Sequence, residues 1–248
     1  MSGHSKWSKI KRKKGAADAK KGKVFSKIIR EISVAARVGG PDPDANPRLR
    51  LALDKAKGAN MPSANVEKAI QKGAGGGSGE GLEEFTLEGY GPGGVAVLVE
   101  ALSDNRKRTV AEVRHLFSRL GGNLGEVGCV GWMFAKRGLL TFPKTVDENK
   151  LMDAAIEAGA EDVQSTEDSL EVWTAANAIT VVEKALGQKG LRSSEGSLQM
   201  IPQNTIHLDG LEAEKMLKLM EGLEDLDDVQ NVHANFDIDD KIMEKLAS

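Results

Sequence analysis

Phe25, Ile28, Ile29, Ile32 and Ala36 recur at three- and four-residue intervals, the repeat of an amphipathic helix, and Gly39, Gly40 and Pro41 stop it. Lys23, Lys27, Arg30 and Arg37 fall largely off that apolar stripe. Asn46 before Pro47 reads as a cap with proline at the first helical position, where the missing N–H has no cost. The helix it opens turns Leu49, Ala52, Leu53 and Ala56 inward, leaves Arg48, Arg50, Lys55 and Lys57 outside, and ends at Gly58. A third, short helix starts at Pro62 or Ser63, buries Val66, Ala69 and Ile70, and stops at Gly73. The pattern predicts a three-helix bundle. Its last two helices, joined through GANMP, have helix-turn-helix spacing with Lys68 and Lys72 on the final one, but that spacing is commoner in plain bundles.

GAGGGSGEG at 73–81 disfavours any fixed conformation, and a domain boundary falls there. Beyond it the period changes. Residues 95–102 (VAVLVEAL) read as a buried strand, 106–120 as a helix with Val110, Val113, Phe117 and Leu120 inward, and 130–134 as a second strand, a βαβ unit. Segments at 139–142, 148–158, 163–165, 170–173, 178–186 and 197–201 then spell βαββαβ, the ferredoxin-like order. Segments at 205–208, 212–223 and 229–236 give another βαβ. The economical assembly is α+β: an amino-terminal three-helix domain followed by two ferredoxin-like α/β domains, one inserted in the other. The boundaries are 1–72 for the basic arm and bundle, 73–81 for the linker, 82–136 plus 204–248 for the split domain, and 137–203 for the insert.

Charge sharpens this division. Residues 1–72 carry 18 Lys and Arg against 6 Asp and Glu, whereas the chain holds 34 against 37, so 73–248 hold 16 against 31. The halves are therefore +12 and −15. Clustered cations repel one another unless something neutralises them, which points to a polyanion at the basic end. In 1–14 the basic residues Lys6, Lys9, Lys11, Arg12, Lys13 and Lys14 surround only Trp7 and Ile10 as large apolar side chains beyond Met1. Such a segment buries too little to order itself, so it reads as a flexible arm that phosphates would order. Trp7 either stacks on a base or wedges against the helices. Lys20, Lys21, Lys23, Arg48 and Arg50 extend the basic face. The plain alternatives are a solubilising tail or, in a eukaryote, a nuclear import signal at 11–14.

Other features exclude functions. No apolar run approaches a membrane span, the basic start lacks the apolar core of a secretory signal, and one cysteine, Cys129, permits no internal disulfide. A cytoplasmic protein is expected. GYGPGG at 89–94 is literally GxGxxG, but a strand rather than a helix follows, so it reads as a tight turn and not a dinucleotide site. The inserted βαββαβ has 6 basic and 11 acidic residues over 137–203 and no paired aromatics on its central strands, so it is expected to meet protein rather than RNA. Cys129 reads as packing at the edge of a strand. His4, His115, His207 and His233 stand far apart, and no nucleophile, triad, phosphate loop or metal set is legible, so no enzyme is expected. Arg106, Lys107 and Arg108 open a helix where the macrodipole favours acids. Either a phosphate or acidic partner holds them there, or Glu112 and Glu100 pair with them.

GHSKW at 3–7, ANMP at 59–62, YGPGG at 90–94, SDNRKRT at 103–109 and GGNLGEVGCVGWMF at 121–134 together resemble the YebC family. The resemblance runs from the first residues to the last strand. It implies a bacterial cytoplasmic protein of three domains, a helical one and two α/β domains around a central cavity, with no cofactor. It further implies a DNA-binding regulator of transcription or, by similarity to a mitochondrial translational activator and ribosome-linked bacterial relatives, a translation factor on ribosomal RNA. In many relatives Ser stands where this chain has Cys129.

Overall fold

The structure, a computed structural model, describes residues 18–75, 81–239 and 242–243. The bundle is built on α1 (Asp18–Gly39), against which α2 (Pro47–Gly58) and α3 (Ser63–Ala74) both pack. Ile32, Ala35, Ala36, Leu49, Ala52, Ala56, Met61 and Ala69 form its core. Asn46 caps α2 as the sequence requires: its Oδ1 accepts from the Leu49 N–H (3.1 Å) and its Nδ2 donates to the Ala35 and Gly40 carbonyls (2.8 and 2.9 Å). One residue thus starts α2 and ties it to the end of α1. At the α1/α3 crossing the backbones nearly touch. The Ser33 hydroxyl donates to the Ala69 carbonyl (3.0 Å), and a Cβ on Gly73 would collide with the Ser33 carbonyl oxygen.

The split unit contains a four-stranded antiparallel sheet in the order β3-β1-β2-β9, from β1 (Glu83–Tyr90), β2 (Ala96–Ser103), β3 (Asn123–Leu124) and β9 (Val229–Ala234). Helices α4 (Arg106–Arg119) and α7 (Gly210–Glu224) contribute to one core with the sheet face bearing Phe85, Leu87, Val97, Val99 and Ala101. The sequence reading missed β1. Only Phe85 and Leu87 mark its apolar face, and glutamates at 83, 84 and 88 beside the glycine linker hide the alternation. GYGPGG is the expected turn, joining β1 to β2 through a single 3-10 turn at Pro92–Gly94. The strand expected at 130–134 is not one: Gly131–Met133 is a 3-10 turn, and the strand begins at Phe134. Three glycines and the buried Glu88 carboxylate fold that apolar run into a loop instead.

The inserted unit has β4 (Phe134–Pro143), α5 (Glu148–Glu157), β5 (Asp162–Ser165), β6 (Ser169–Ala175), α6 (Ile179–Gln188) and β7 (Glu195–Pro202). Its sheet order β5-β6-β4-β7, antiparallel throughout, is the ferredoxin-like arrangement read from the sequence. A short parallel pair, β8 (Ile206–His207) with β10 (Phe236–Asp237), closes the return to the split unit. The three units touch pairwise. Leu51 of α2 packs on the insert's core, Phe134 and Met200 pack with Ala96 and Leu98 of the split sheet, and α1 reaches the end of α7. Among the described residues no helix is long and apolar enough to cross a membrane.

Candidate nucleic-acid interface

Lys6, Trp7, Lys9, Lys11, Arg12, Lys13 and Lys14, the arm expected to engage phosphates, lie outside the described residues. Lys20 and Lys21 fall on the first turns of α1. From Lys23 onward the basic face of α1 is turned toward the acidic half of its own chain. Lys23 Nζ donates to the Asp225 carbonyl (3.1 Å), Lys27 Nζ to the Glu224 carbonyl (2.6 Å) and Arg30 to the Asp227 carbonyl (2.9 Å). These carbonyls end α7 and open the loop after it, where a helix leaves acceptors unsatisfied and its dipole favours cations.

Asp228 is the hub of this contact. Only 4% exposed, it accepts from Arg30 (3.0 Å), Ser103 (2.9 Å), Arg108 (2.6 Å) and Thr109 (2.7 Å). Burial pushes its carboxyl up, but the Arg108, Thr109 and Ser103 donors outweigh that and hold it below the usual range. The SDNRKRT segment therefore does local work: Ser103 and Thr109 grip Asp228, and Asn105 caps α4 by accepting from the Arg108 N–H (3.1 Å).

Arg106 and Arg108 at the start of α4 are paired internally, though not with the acids the sequence suggested, while Lys107 between them has no partner among the described residues. Arg106 bonds Glu83 (2.6 Å) and lies 4.8 Å from the centre of the Phe85 ring, and Arg108 holds Asp104 (2.9 Å) and Asp228. Glu100 faces His233 (3.6 Å) and accepts from Asn231 (2.7 Å). Chiefly through His233, and against the effect of burial, its carboxyl is held down to about 2. An open groove of about 410 Å³ beside Arg108 is lined by Lys23, Arg30 and Arg108 but also by Asp104, Glu112, Asp225, Asp227 and Asp228, a poor bed for a phosphate.

Arg48 bridges units: its guanidinium bonds Glu31 (2.8 Å) on α1 and Glu84 on β1. Burial lowers its pKa, yet the two carboxylates raise it above the ordinary guanidinium value. Arg50 donates to the Pro43 (3.0 Å) and Asp44 (3.0 Å) carbonyls. The exposed cations with no internal partner among the described residues include Lys55 on α2, Lys68 and Lys72 on α3, and Lys107 on α4. Of Lys23, Arg48, Arg50, Arg106, Lys107 and Arg108, the described side chains among those nominated from sequence as phosphate contacts, only Lys107 is open in this way.

The sequence reading gave no role to Glu88. Its carboxylate, 6% exposed on β1, accepts from the N–H groups of Gly128 (2.9 Å), Val130 (2.8 Å) and Gly131 (2.7 Å). Burial raises its pKa and the three donors more than reverse this, so it stays ionised. Gly128 presents its N–H at φ +92°, a conformation other residues rarely adopt. The loop so held displays Trp132, and Cys129 sits in it half-buried rather than in a strand, its thiol pushed up by burial and the charges of Glu88 and Glu126. The only signal for this in sequence was the spacing of acid and glycines, which becomes meaningful once β1 and the loop are adjacent. No grouping of His, Cys, Asp or Glu among the described residues has metal-site geometry.

Two family models match the chain: the TACO1/YebC amino-terminal domain over residues 5–76, and the TACO1/YebC second and third domains over 82–236. A probable transcriptional regulatory protein of Geobacter sp. (strain M21) is 59% identical over 246 residues, which span 99% of this chain and 100% of that protein. One of the same description from Acidithiobacillus ferrooxidans is 55% identical, spanning 99% and 98%. The crystal structure of a conserved hypothetical protein from Aquifex aeolicus, 50% identical, superposes with a TM-score of 0.80 over 90% of this chain and 92% of that one.

Proposed function

The chain belongs to the TACO1/YebC family, and from that premise we propose that it is a non-enzymatic regulator of gene expression that binds nucleic-acid phosphates through its amino-terminal arm. The observation that carries the reading is the +12 of residues 1–72 together with the way the structure disposes of it. Lys23, Lys27, Arg30 and Arg48 are held by the acidic half, which docks the bundle on the split unit. Lys6, Lys9, Lys11, Arg12, Lys13 and Lys14 are the densest basic run in the chain, and Lys55, Lys68 and Lys72 are open on the bundle. Counterion release from phosphates is the contact such a run makes best, and it positions without reading sequence. Relatives described as probable transcriptional regulatory proteins support a regulatory role; in our reading of that role the arm binds duplex DNA, in the cytoplasm, and the acidic insert meets a protein.

A second reading is a translation factor on ribosomal RNA. The exposed Trp132 and Tyr90 favour it, because unpaired bases that can stack on aromatic rings are chiefly those of RNA loops. Crosslinking in growing cells followed by sequencing of all attached DNA and RNA separates the two. Promoter enrichment with little ribosomal RNA is expected for the first reading, and discrete ribosomal sites would replace it with the second.

A further inference from the structure

The chain has one tyrosine and three tryptophans, and Tyr90 and Trp132 meet at one surface point. Trp132 is 64% exposed and Tyr90 38%, whereas Trp173 is buried. The Tyr90 hydroxyl (3.1 Å) and the Trp132 indole N–H (3.2 Å) both donate to the Cys129 carbonyl. Two rings tethered to one oxygen are neighbours, and their polar tips are already engaged. What they offer to a ligand is ring face and edge.

The support beneath them is rigid. Glu88 ties down three amides of the loop, the Gly125 N–H bonds the Glu88 carbonyl (2.8 Å), and Gln203 holds the loop's exit through its N–H to Met133 O (2.8 Å) and its amide to Trp132 O (3.4 Å). Rings held in place before binding lose little freedom on binding. The exposed residues of the segment 121–131 that leads to Trp132 are Gly121, Asn123, Gly125, Glu126, Val127 and Gly128, which supply one further large apolar side chain. A protein partner would call for a broader apolar surface, while a flat heterocycle needs only the rings. Lys136, exposed at the start of β4, follows Trp132 by four residues, and Arg137 next to it pairs with Glu161 (3.5 Å).

We infer that Trp132 and Tyr90 form a stacking platform for an unpaired nucleobase in a single-stranded segment of DNA or RNA. This rests on the nucleic-acid reading above and adds a second, non-electrostatic contact to it. Stacking on an aromatic ring is tolerant of sequence, since every base has a π-face.

Fluorescence anisotropy of the full chain with labelled oligo(dT), oligo(rU) and a duplex of equal length tests it. Trp132→Ala is expected to weaken single-strand binding about 5- to 150-fold while leaving duplex affinity and salt slope unchanged, and Trp132→Phe to recover most of the loss. Tyr90→Phe, which frees one ring from its carbonyl, is expected to fall between. A loss confined to oligo(dT) or to oligo(rU) supports the platform and identifies the source of the base. Single-strand affinity unchanged in Trp132→Ala overturns the inference, as does an equal loss on duplex. So does unchanged nucleic-acid binding with loss of a protein partner after nuclease treatment. A wild-type chain that binds none of the three probes removes the nucleic-acid reading itself, a result distinct from a silent Trp132→Ala.

Discussion

Asp228→Asn removes one charge from the point where the bundle, α4 and the loop after α7 converge. In the wild type this carboxylate accepts four hydrogen bonds, two of them from Arg30 and Arg108. A hydrogen bond to a charged group contributes about 1.5–3 kcal/mol, and breaking a buried pair costs about 3–5 kcal/mol. Arg30 and Arg108 retain 32% and 45% of their side-chain exposure, so water recovers part of the loss. The expected cost is about 2–4 kcal/mol, or roughly 5–15 °C in Tm for a chain of this size. The pH dependence has a definite sign. A carboxyl whose folded pKa lies below its unfolded value of about 3.9 contributes fully above that value and loses its contribution as pH falls through the folded one. Melting followed by circular dichroism should therefore show the largest gap between wild type and Asp228→Asn at neutral pH, closing as pH drops below about 4. Arg30→Ala should reproduce part of the neutral gap. A variant that melts with the wild type at neutral pH, or a gap that persists undiminished in acid, would refute the reasoning.

Glu88→Gln should loosen the loop by about 1.5–3 kcal/mol, seen as faster amide exchange at Gly128, Val130 and Gly131 with other sheet amides unaffected. Gly73→Ala should destabilise the bundle by about 1–3 kcal/mol in urea, because its Cβ meets the Ser33 backbone at the helix crossing. In carbon-detected NMR titration Glu100 should titrate near 2, and His233→Ala should move it up toward the ordinary carboxylate value, since His233 is the main cause of the depression.

The helices were legible because each carries its own punctuation: Asn46 with Pro47, Gly39 to Pro41, and an apolar stripe of clean period. The inserted unit was legible for the same reason, its six elements alternating in period within a short span. β1 was not, because its apolar face holds two residues and its other face is acidic. Nor was the loop at 125–131, where apolar composition imitates a strand and only a carboxylate some forty residues upstream decides otherwise. The basic face was legible as charge but not as contact. Which of Lys23, Arg30, Arg48 and Arg108 are paired depends on where Glu84, the end of α7 and Asp228 arrive in space, and sequence spacing does not encode that.

The central claim, that the arm holds nucleic-acid phosphates, is tested most directly by duplex affinity measured across a salt series for the full chain and for a variant with Lys11, Arg12, Lys13 and Lys14 all replaced by Ala. Each phosphate contact contributes a slope of about −0.9 in log affinity against log salt, so the variant should bind more weakly with a slope shallower by about 3 to 4. Equal affinity and an equal slope in the two proteins would contradict the account.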